Sequence, residues 1–110
     1  MAYFALINQL KEEGLSDETV NLAYDVLSTA TELYRHLADL KRDVDRMVGN
    51  MKGGFNPGLG STVVHPMYAV DAAVARERLS AASNLLIKHD RELGYDLVDR
   101  LIKAAAEDDQ

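Results

Sequence analysis

Asp25, Glu32, His36, Asp39 and Asp43 recur at spacings of seven, four, three and four, which places four carboxylates and an imidazole on one strip of any helix that holds them. Two chemistries suit such a strip. Carboxylate and imidazole one turn apart can ligate a divalent metal, and a line of acids can dock a basic partner surface. Metal-binding bundles draw ligands from several facing helices, so one strip with one histidine favours docking over metal. Arg35, Arg42 and Arg46 run beside the acids. Arg35–Asp39 and Asp43–Arg46 then read as ordinary ion pairs of a solvated helix face.

Other constellations are thinner. The adjacent His89-Asp90 resembles the doublet of metal-dependent phosphohydrolases, with His36 or His65 as an earlier ligand and Asp96 or Asp99 as a later one. The chain is short for that fold, and a helix-end histidine beside an N-cap aspartate explains the pair as well. All-helical nucleotide pyrophosphatases hold magnesium with paired acids on two helices, and Asp39/Asp43 with Asp96/Asp99 is similar. Glu77, on the helix between, has no paired acid. Gly58-Leu59-Gly60-Ser61-Thr62 can form a nest of backbone N–H groups for an anion such as a nucleotide phosphate, with Lys52, Arg76 or Arg78 adding charge across a subunit interface. It lacks the Gly-Lys-Ser/Thr ending and the preceding strand of a phosphate loop. No nucleophile stands beside a base, so no catalytic residue, cofactor or resident metal is assigned, and an enzyme is not expected.

The strip needs a long helix, and residues 16–51 supply one. Ser16-Asp17-Glu18-Thr19 offers a capping hydroxyl followed by acids in the first turn, where free N–H groups and the helix dipole favour both. Leu15 and Val20 are spaced as a hydrophobic staple. From Leu22 to Met51 the apolar residues form one unbroken stripe that something equally long must cover. Residues 2–13 read as a short helix closed at Gly14, with Tyr3 and Phe4 placed for either the core or a subunit contact.

The segment 52–66 is a glycine-rich connector, long for a helix link, whose Phe55, Leu59, Val63 and Val64 call for a surface to dock on. Pro66 suits the first turn of the next helix, 67–89. There Tyr68, Ala72, Ala75, Leu79, Ala82, Leu86, His89 and Leu93 make a four-three seam that mates with the long helix. Asp90 and Gly94 mark a kink or short break before a last helix, 91–106.

Composition bounds the rest. Apolar residues make up 47% against 6% aromatic, with alanine and leucine dominant, which is bundle rather than sheet composition. The 110 residues suit one domain, 1–110, able to bury its own core. A net charge of −6, with the arginines interleaved among acids, disfavours nucleic acid. No cysteine excludes disulfides and thiolate chemistry. The first residues lack a basic leader and soon turn polar, so neither a signal peptide nor a membrane anchor is expected and a cytoplasmic location follows.

The fold expected is all-α: a long antiparallel helical hairpin with a short N-terminal helix and a kinked C-terminal helix, completing a bundle by dimerisation. The function expected is protein–protein binding, as regulator, adaptor or inhibitor, through Asp25, Glu32, His36, Asp39, Asp43 and the apolar connector residues. In composition the chain resembles small acidic regulators and inhibitors of phages and mobile elements. A homo-oligomeric binder of a small anion and a metal-dependent hydrolase are the alternatives.

Overall fold

The computed structural model describes residues 2–52 and 66–108. These form four helices and, among the described residues, no strand: α1 (Ala2–Glu12), α2 (Asp17–Lys52), α3 (Pro66–His89) and α4 (Arg91–Asp108). The boundaries follow local chemistry. Gly14 takes a φ of 86°, its N–H reaches the Lys11 carbonyl at 3.1 Å, and the Leu15 N–H reaches Leu10 at 3.4 Å, the pair of bonds that closes a helix through a left-handed glycine. The Ser16 hydroxyl then accepts from the Thr19 N–H at 3.2 Å, opening α2, with Asp17 and Glu18 in its first turn.

α2 and α3 form the hairpin. Thr19 meets His89, Glu32 meets Arg78, and Asp43 shares a cleft with Tyr68, a register that only antiparallel helices produce. The α3 seam is buried at Ala72, Ala75, Ala82 and Leu86, as its spacing predicts, and alanine at alternate positions lets the two backbones approach. α1 and α4 pack on the first half of α2 alone. Ile7 and Leu10 of α1, Val20, Ala23, Val26, Leu27 and Ala30 of α2, and Leu97, Leu101 and Ala105 of α4 make one core with Ala82 and Leu86. On α2 this core reaches no further than Tyr34, and on α3 no further back than Leu79.

The expected kink is a reversal. Asp90 ends α3 through its N–H on the Leu86 carbonyl, 3.1 Å, and caps α4 through its carboxylate on the Leu93 N–H, 3.1 Å. In a continuous helix residues seven apart lie about 10 Å apart along the axis. Here a Cβ on Gly94 would stand 2.6 Å from the Ile87 Cα and 3.0 Å from the Leu86 carbonyl. Only a residue without a side chain lets α4 fold so tightly over the end of α3.

Gly94→Ala gains helix propensity but must push α4 off backbone atoms that cannot give, so the net effect is a loss of about 1–3 kcal/mol. Urea unfolding followed by circular dichroism measures it, and an unchanged or raised midpoint would refute the close crossing.

Candidate functional site

The acidic strip does not lie free on the surface. Asp25 is exposed, but from Glu32 onward the strip turns toward the rim of α3. Glu32 Oε1 lies 3.6 Å from both His36 Nε2 and Arg78 Nη1 of α3. Asp39 accepts from Arg42 at 2.8 Å, rather than from Arg35 as its spacing had suggested. Asp43, only 6% exposed, accepts from Arg46 Nε at 3.0 Å and Nη2 at 2.8 Å, the pair that its spacing predicts. The strip is therefore open to solvent at Asp25 and buried at Asp43, where the register of the hairpin has drawn a carboxylate inside.

Asp39, Arg42, Asp43 and Arg46 line an open cleft of about 390 Å³ with Tyr68. Two carboxylates face two guanidiniums there, so the cleft offers little net field to an ion of either sign. Both Arg46 nitrogens donate to one oxygen of Asp43, Oδ1. Among the described residues no group of three or more His, Asp or Glu side chains is placed to hold a metal ion. Asp99 pairs with Lys103 at 2.9 Å, and this contact raises the lysine pKa.

A second cluster joins the ends of the hairpin. The Ser16 and Thr19 hydroxyls are 2.8 Å apart, Thr19 Oγ1 is 3.0 Å from His89 Nε2, and His89 Nδ1 is 3.8 Å from Glu18 Oε1. Hydroxyl, imidazole and carboxylate are the residue types of a nucleophilic triad, but Thr19 is buried and Ser16 is occupied as the helix cap. The cluster ties the first turn of α2 to the last turn of α3. Sequence reasoning gave Thr19 to the cap and His89 to the seam without joining them. His89 at the end of that seam was the usable signal, since an antiparallel mate must bring it near residue 19.

Of the anion-binding set, Lys52, Arg76 and Arg78 belong to the described residues, and Lys52 lies far along α2 from the other two. Arg78 stands beside Glu32, and Lys52 is twenty residues further along α2, about 30 Å away. Arg76 is exposed on α3. Phe55, Gly58, Leu59, Gly60, Ser61, Thr62, Val63 and Val64 fall outside the described residues.

What the structure does expose is apolar. Met67, Val70, Val74 and Leu85 of α3 are 62%, 57%, 45% and 57% exposed, and Leu37 and Val48 of α2 are 40% and 37% exposed. The α3 residues lie more than a quarter-turn from the seam that packs on α2, so α3 carries apolar side chains on two faces. Periodicity had revealed only the first face, because alanines at 69, 73 and 81 blur the boundary between them. Among the described residues no helix is long and apolar enough to cross a membrane.

No protein-family profile, curated protein or solved structure matches the chain.

Asp43→Ala removes the fork's acceptor from a partly buried guanidinium and is expected to cost about 1–2 kcal/mol, whereas Asp25→Ala should stay within about 0.5 kcal/mol. Denaturant midpoints compare the two directly. Equal effects would show that Asp43 is no more engaged than a solvated acid.

Proposed function

We propose that the protein works by binding another protein, presenting the outer face of α3 to an apolar groove on its partner. One observation carries this reading: Met67, Val70, Val74 and Leu85 form an exposed stripe on a helix whose other face is already spent on the core. An ordinary surface helix has one apolar face and one polar face. Anchors at i, i+3 and i+7, repeated one turn apart at Ala81 and Leu85, are the pattern by which an amphipathic helix fills a groove. Glu77 and Asp71 flank the stripe, and so do Lys88 and Arg78, so the apolar anchors rather than the net charge select the groove. Such a protein acts as a regulator, adaptor or inhibitor, by occupying a surface rather than by turning over a substrate.

The test is site-resolved photo-crosslinking in cells, with a benzophenone amino acid at Val70, at Val74 and, as a control, at exposed Glu92 of α4. One defined protein other than the chain itself should be joined from 70 and 74 but not from 92, and Met67→Asp should abolish the adduct while leaving helix content unchanged. Equal labelling from all three sites, or self-adducts alone, would contradict the assignment.

A further inference from the structure

We draw no further inference here: the strongest candidate, the exposed apolar face of the distal half of α2 around Leu37 and Val48, carries none because nothing in the structure shows what covers it.

Discussion

A helix can bury its apolar stripe only along the length that other elements cover, and here one helix is longer than its cover. α2 has 36 residues, whereas α4 has 18 and α1 has 11. At 1.5 Å per residue the mismatch is large: α2 is about 54 Å long and α4 about 27 Å. α3 follows α2 along most of its course but occupies one side of it. Among the described residues the second side is closed where α1 and α4 reach, from Val20 to Tyr34. The reversal at Asp90 decides which end is closed. By folding α4 tightly over the last turn of α3, Gly94 commits the rest of the chain to the proximal half and leaves the distal half two helices thick. The envelope of 59 × 25 × 16 Å fits this: among the described residues no third helix runs the length of α2.

The polar groups fall into place around that asymmetry. At the proximal end, where four helices converge, polar contacts knit chain ends together: Arg100 reaches Glu13 at 3.1 and 3.2 Å, and Thr19 meets His89. In the distal half the hairpin is held by an alanine-rich seam and by arginine–carboxylate pairs along its rim. Asp43 is the clearest case. Its burial follows from standing opposite Tyr68 near the open end of the hairpin, and the Arg46 fork makes that burial tolerable. Apolar exposure does not follow that asymmetry: Leu37, Val48, Met67, Val70 and Val74 are exposed in the distal half, and Phe4, Tyr24, Leu85 and Tyr95 at the proximal end.

Much of this was legible in residues. Ser16 and Gly14 announce the ends of α1 and α2, Pro66 opens α3, and the seam from Ala72 to Leu86 names its own mate; each signal is local or periodic, and helices express both. The break at Asp90 was legible too, but not its sharpness, because the crossing depends on what Gly94 meets rather than on what Gly94 is. How far each member of the acidic strip is exposed was not legible for a related reason. Spacing places Glu32 and Asp43 on one face of α2, yet only the register with α3 decides that Asp43 goes inside while Asp25 stays in water. The second face of α3 was hidden by alanine, which reads as apolar on every side and so dilutes the periodic signal.

The claim beneath all of this is that, among the described residues, α2 is covered on two sides along its first half and on one side along its second. Amide hydrogen exchange tests it most directly. Residues 20–34 should exchange slowly, whereas residues 37–48 should exchange markedly faster. Equal protection of both halves would mean that the stripe is covered along its whole length, and the account would fail.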